Sequence, residues 1–166
     1  MGQEGRAPKV YRPVDTDIRI SIPSRRHDLL ADILLDAVLT NGRANDDGNN
    51  EDAQHAVLRA AHERGHQIGA DERKRTRPGR LGAERALTLT ESLLHKNGFE
   101  PERRSSTCVR LGACPFHPLA SRAPEMVCGI NHAFLTGVLD GLGAGTVEAV
   151  LDPGAGECCV EMRACH

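Results

Sequence analysis

All six cysteines of this 166-residue chain lie at or beyond position 108: Cys108, Cys114, Cys128, Cys158, Cys159 and Cys165. Thiols grouped in this way can hold a soft metal or an iron–sulfur cluster, attack a substrate, answer oxidants, or fill a core as small apolar groups. A cluster needs thiolates that converge from several rigid elements. A nucleophile needs a base beside it and a group that orients the base. No Cys-x-x-Cys pair occurs, so a metal site would have to be assembled by the fold. The stretch "GACPFHPLA" at 112–120 is the densest in chemistry, with Cys114 before a proline and His117 three residues on.

The surrounding pattern predicts how these residues are held. "RSSTCVRL" at 104–111 alternates, with Thr107, Val109 and Leu111 on one face and Cys108 and Arg110 on the other, which reads as a strand. Cys114 then sits at a strand end, in a corner stiffened by Pro115 and Phe116, and "HPLASRA" makes a short helical turn. Pro124 suits the first turn of a helix that extends to about 140, in which Cys128 shares a face with Asn131, His132 and Leu135. "TVEAVLD" at 146–152 and "ECCVEMR" at 157–163 read as two strands joined by "PGAG". In the second, Cys158 points with Val160 and Met162, and Cys159 with Glu157 and Glu161, so alternation would send the two thiols to opposite sides.

Cys114, Cys128 and Cys158 are thereby expected at one end of a small antiparallel sheet, with His132, His117 or Cys159 as a fourth ligand. Cys114, Cys128, Cys158 and His132 would suit tetrahedral zinc. The competing reading is buried thiols used as apolar filler. An enzyme with Cys114 as nucleophile and His117 or His132 as base lacks an obvious orienting carboxylate. "GLGAG" at 141–145 leads into a strand rather than from strand to helix, so it is no nucleotide-binding fingerprint.

The front of the chain is helical. Residues 24–39 carry Leu29, Leu30, Ile33, Leu34, Ala37 and Val38 on one face, with Ser24 as N-cap. Asp28, Asp32 and Asp36 line another face, which reads as solvated rather than chelating. "TNGRANDDGNN" reads as a loop. A second helix is predicted over 51–65, capped by Asn50, with a face of Ala53, Ala56, Val57, Ala60 and Ala61 that permits close packing. His62 and His66 have ligand spacing on it, but Gly65 is expected to end the helix, and an exposed pair is the simpler reading. "ERKRTRPGR" is a basic linker. A third helix over 80–96 turns Leu81, Ala86, Leu87, Thr90, Leu93 and Leu94 inward and closes on "KNG".

Composition narrows the classes. Apolar residues make up 39%, enough for one core, and aromatics only 2%, so base stacking on aromatic platforms is not expected. The net charge is −2 and neither half is strongly basic, which argues against a direct DNA footprint. No apolar run of membrane-spanning length and no signal-peptide core occur, so a cytoplasmic chain with reduced thiols is expected.

At this point the residues meet a known pattern. "LGACPFHPLASRAPEMVCGINHAFLTGVLDGL" followed by "AVLDPGAGECCVEM" resembles the C-terminal sensor region of a bacterial family of winged-helix transcriptional regulators. That family includes the iron–sulfur-sensing repressors of the Suf cluster-assembly operon. The pattern is met at Cys114, Pro115, Phe116, His117, Leu119, Ala120, Val127, Cys128, Asn131, Gly141, Leu142, Leu151, Pro153, Gly156, Cys158, Cys159 and Val160. The resemblance spans roughly 10 to 163 and is specific only in the cysteine block. It implies a homodimeric, cluster- or metal-responsive effector domain, with the cluster held by residues matching Cys114, Cys128 and one of Cys158 and Cys159. It also implies DNA binding through a winged helix. Only sixteen residues precede Asp17, too few for that module, and "GRAPKVYRPV" resembles the last strand of a wing.

The expectation is therefore an α+β chain: a helical N-terminal half followed by a small antiparallel sheet with a crossing helix. Its parts are a wing or linker remnant at 1–16, a helical dimerisation region at 17–98, and a cysteine-rich sensor domain at 99–166.

Overall fold

The computed structural model describes residues 25–46, 52–154 and 157–165. The expected caps Ser24 and Asn50, the segment at 1–16 and part of "PGAG" lie outside them. The fold is α+β. Helices α1 (His27–Asp46), α2 (Ala53–Thr76) and α3 (Ala83–Lys96) precede the hairpin β1 (Pro101–Ser105) and β2 (Cys108–Leu111). A single turn, α4 (Leu119–Arg122), leads into α5 (Pro124–Leu142), and β3 (Val147–Leu151) and β4 (Val160–Ala164) complete the order. The sheet is antiparallel throughout, in the order β1-β2-β4-β3.

Helix α5 is the centre of the molecule. Val127, Ile130, Phe134, Leu135, Val138, Leu139 and Leu142 are all buried, and a helix apolar nearly all round must be covered on several sides. One side faces α2 and another faces the sheet. The contact with α2 is made by glycines. A Cβ on Gly65 would stand 2.0 Å from the Phe134 carbonyl oxygen, and one on Gly137 would stand 2.0 Å from that of His62. Gly69 and Gly141 make the same kind of approach, to the Val138 and His66 carbonyls. Partner numbers rise together, so the two helices run in the same direction with backbones touching.

This corrects the reading of Gly65 as a helix end: α2 continues to Thr76 and closes with Arg77 in the left-handed conformation. A glycine costs a helix about 1 kcal/mol against alanine, which the close approach to α5 offsets. Helix α1 likewise runs to Asp46, through the first residues of the predicted loop, because extending a formed helix adds one hydrogen bond per residue ordered. It packs on α2 through Leu29, Leu30, Ile33 and Ala37, whereas Val38, at the edge of that stripe, is 69% exposed. Helix α3 turns its predicted residues inward, Thr90 included, whose Oγ1 donates to the Ala86 carbonyl at 2.9 Å.

The single strand expected over 104–111 is two strands, bent back at 106–107. Alternation holds within β2: Val109 and Leu111 enter the core, and Arg110 lies on the opposite face. There Arg110 is paired with Glu161, Asp152 and Glu157. Buried charge is tolerated where it is matched in this way. The β3–β4 pair forms as predicted, with Leu151 opposite Val160.

Candidate functional site

The corner after β2 is built around Phe116, which is fully buried and anchors the turn in the core. The His117 amide donates to the Cys114 carbonyl at 3.2 Å, and the Leu119 amide to the Phe116 carbonyl at 2.9 Å. The His117–Pro118 peptide is cis. Cys114 thus leaves the end of a strand on a backbone closed by its own hydrogen bonds. Pro124 starts α5 as expected, and Cys128 follows one turn later. Cys158 and Cys159 both precede β4, the Cys158 amide donating to the Leu111 carbonyl at 3.4 Å. Because neither lies within the strand, alternation does not separate them.

The four thiols meet at this end of the sheet. Cys114 lies against Cys158, Cys158 against Cys159, and Cys159 against Cys128. They are neighbours in pairs along a chain. Among the described residues, no three His, Cys, Asp or Glu side chains are gathered around one point as they would be around an ion.

The charge balance of the group is plain. The neighbouring Cys158 sulfur, and then burial, push the Cys114 thiol far above its ordinary range. At Cys158 the Cys114 thiol stabilises the thiolate, but Cys159 and burial outweigh it, and the pKa rises to about 11. Burial, with the charges of Cys114 and Cys158, raises Cys128 as well. A thiol held protonated is a poor nucleophile, which weighs against Cys114 as an attacking group.

Hydrogen-bond donors nevertheless point at the sulfurs. The Phe116 amide faces Cys114 and the Val160 amide faces Cys158. Asn131, fully buried on α5, donates from Nδ2 to Cys158 Sγ at 3.1 Å. Its Oδ1 has no partner among the described residues. Buried polar atoms are nearly always paired, so an orphaned oxygen on the amide that binds Cys158 marks a place where something polar belongs. Donors to sulfur and a soft donor set are what a thiolate-bound metal or cluster uses. In type and number the residues fit such a group.

The remaining candidates fall elsewhere. His132 Nε2 lies 3.0 Å from the Ala149 carbonyl and ties α5 to β3. The His117 side chain is exposed. Cys108 belongs to the other end of β2, opposite Arg163, and Cys165 is exposed beyond β4. His62 and His66 stack at 6.5 Å, and His62 bonds to Asp140 at 2.8 Å across the α2–α5 contact. Asp28 and Asp32 are exposed and pair with Arg26 and Arg64.

Sequence reasoning placed Asn131 on the Cys128 face but gave it no part, although an amide three residues from a cysteine on one helix face was the available signal. Two further residues had no local signal at all. Arg25 Nη1 donates to the Cys114 carbonyl at 2.8 Å, and His27 Nε2 lies 2.9 Å from the His117 carbonyl.

Comparison with known proteins gives no neighbour: no family model, no curated protein and no solved structure matches the chain.

Proposed function

We propose that this chain is the effector portion of a transcriptional regulator, whose thiol group binds an iron–sulfur cluster and responds to its presence. One observation carries the reading. Four cysteines from three separate segments lie as neighbours at one end of the sheet, with N–H donors directed at Cys114 and Cys158 and with Asn131, whose Oδ1 has no partner among the described residues, bonded to Cys158. Cys114, Cys128 and Cys158 would be ligands, with Cys159 in contact as the fourth. When bound, such a cluster supplies a positive metal core, which lets neighbouring thiols ionise together, and a redox state that can be sensed. The chain's own contribution is to hold the sulfurs on rigid supports, to donate hydrogen bonds to them, and to keep most water away.

The regulatory part of the proposal rests on the resemblance of the cysteine block, and with it DNA binding through a winged helix. A homodimer would form on the outer face of α1, where Leu35, Val38 and Leu39 are exposed together. Six free thiols suit a reducing compartment such as the cytoplasm. Among the described residues, no helix is long and apolar enough to cross a membrane.

The test is anaerobic purification with a visible spectrum and iron, sulfide and zinc analysis, on wild type and on Cys114→Ser, Cys128→Ser and Cys158→Ser. A brown protein with stoichiometric iron and sulfide, lost in the variants, is the expected result. A colourless protein with one zinc per chain would move the site to structural zinc. A metal-free protein whose variants fold normally would defeat both.

A further inference from the structure

Helix α1 begins with a strap across the thiol corner. Three successive residues bind three backbone carbonyls of that corner. Arg25 Nη1 donates to Cys114 O at 2.8 Å, the Arg26 amide to Pro115 O at 2.8 Å, and His27 Nε2 to His117 O at 2.9 Å. The Arg26 guanidinium also lies over Phe99, 5.8 Å from the ring centroid. Beyond the strap, α1 leans mainly on α2. Its start is therefore held by the residues that carry Cys114.

The strap grips the backbone of the segment that carries Cys114, at the Cys114, Pro115 and His117 carbonyls. Ligation of Cys114 would fix that backbone in one arrangement, and the three hydrogen bonds need their three carbonyls held in one arrangement. Fixing the corner therefore favours the closed strap over the open one, which is the differential contact a conformational response requires.

We propose that Arg25 and His27 are positioning residues that couple ligation of Cys114 to the placement of α1. This rests on the reading of the thiol group as a metal or cluster site. Ligation tightens the strap and fixes the start of α1. Release loosens it, and α1 with its exposed Leu35, Val38 and Leu39 gains freedom. By reciprocity, whatever loosens the strap must weaken ligation by the same factor.

Cadmium ion is a suitable probe, since it is soft, binds thiolates and shows a sulfur-to-metal absorption band. Binding to the whole reduced chain is followed by that band, and hydrogen exchange of peptides beginning near Arg25 is followed by mass spectrometry. The expected result is cadmium binding that slows exchange at the Arg26 amide about tenfold. Arg25→Ala and His27→Ala should each weaken cadmium binding by a factor on the order of five to ten, with Arg25→Lys recovering part of the loss. A purely structural strap would change thermal stability in these variants but leave cadmium affinity unmoved. If cadmium binds while exchange and variant affinities stay unchanged, the coupling is refuted and the site stands. If cadmium fails to bind and no thiolate band forms, the site reading falls and the strap proposal falls with it.

Discussion

Two glycine-to-alanine changes in the same helix should move stability in opposite directions. At Gly137 the new Cβ would lie 2.0 Å from the His62 carbonyl oxygen, 2.8 Å from its carbon and 2.9 Å from the His66 nitrogen. These are backbone atoms, so no side-chain rotation relieves the clash. Reaching ordinary contact requires α2 and α5 to separate by roughly 1 Å, and a gap of that size forfeits a quarter to a half of each contact's dispersion energy. The loss runs along the whole pair, because Gly65, Gly69 and Gly141 are in backbone contact too. Overpacking costs about 1–3 kcal/mol where side chains can adjust, so a backbone clash should cost about 3–5 kcal/mol. Alanine's better helix propensity returns about 1 kcal/mol, leaving a net loss of about 2–4 kcal/mol.

Gly129 supplies the control on the same helix. There the added Cβ meets only Leu58 Cδ2, at 3.4 Å. Gly129→Ala should be neutral or stabilising by up to about 1 kcal/mol. Urea unfolding followed by circular dichroism reads both variants. With an m-value of about 2 kcal/mol per molar, their midpoints should differ by about 1–2.5 M. Gly65→Ala should resemble Gly137→Ala, and the double variant should cost less than the sum, since one displacement relieves both clashes. A Gly137→Ala protein as stable as wild type would refute the backbone contact and the helix pairing built on it.

The thiol group makes stability sensitive to alkali. Cys158 is raised to about 11 from a reference value of 9.0, so between those values the unfolded chain releases a proton that the folded one keeps. Stability attributable to this group is complete below pH 9 and lost as pH rises towards 11, by up to roughly 3 kcal/mol; a flat profile of melting temperature over pH 8.5–11 in the reduced, metal-free protein would contradict it. Asn131→Asp should destabilise by about 2–4 kcal/mol at pH 8, because it buries a carboxylate beside the thiols. Asn131→Leu should stay within about 1 kcal/mol of wild type, since it removes an unsatisfied oxygen along with one hydrogen bond to sulfur; thermal unfolding of the pair checks both. Val38→Glu, at a 69% exposed position, should leave folding within about 0.5 kcal/mol of wild type but shift the sedimenting species from dimer to monomer. A wild type that already sediments as a monomer would remove the α1 interface.

Much of the local structure was legible because short-range rules govern it. The inward face of α3, the proline start of α5, the alternation of Val109 and Leu111 against Arg110, and the β3–β4 pair follow from periodicity and turn residues. Of the candidate site, the closed corner at Cys114 and the helix that carries Cys128 were legible in the same way.

Other features depend on partners distant in sequence. Gly65 reads as a helix end until the Phe134 carbonyl is found where its Cβ would be. Cys158 and Cys159 diverge if β4 includes them and join one group because it starts at Val160. Arg25 and His27 carry no motif, and they reach Cys114 and His117 only because α2 carries α1 back across the corner. Periodicity and turn chemistry act over a few residues and can be read along the chain. Backbone contact between helices, the mutual influence of neighbouring thiols and a strap spanning some ninety positions arise only when the folded core brings separate segments within bonding distance.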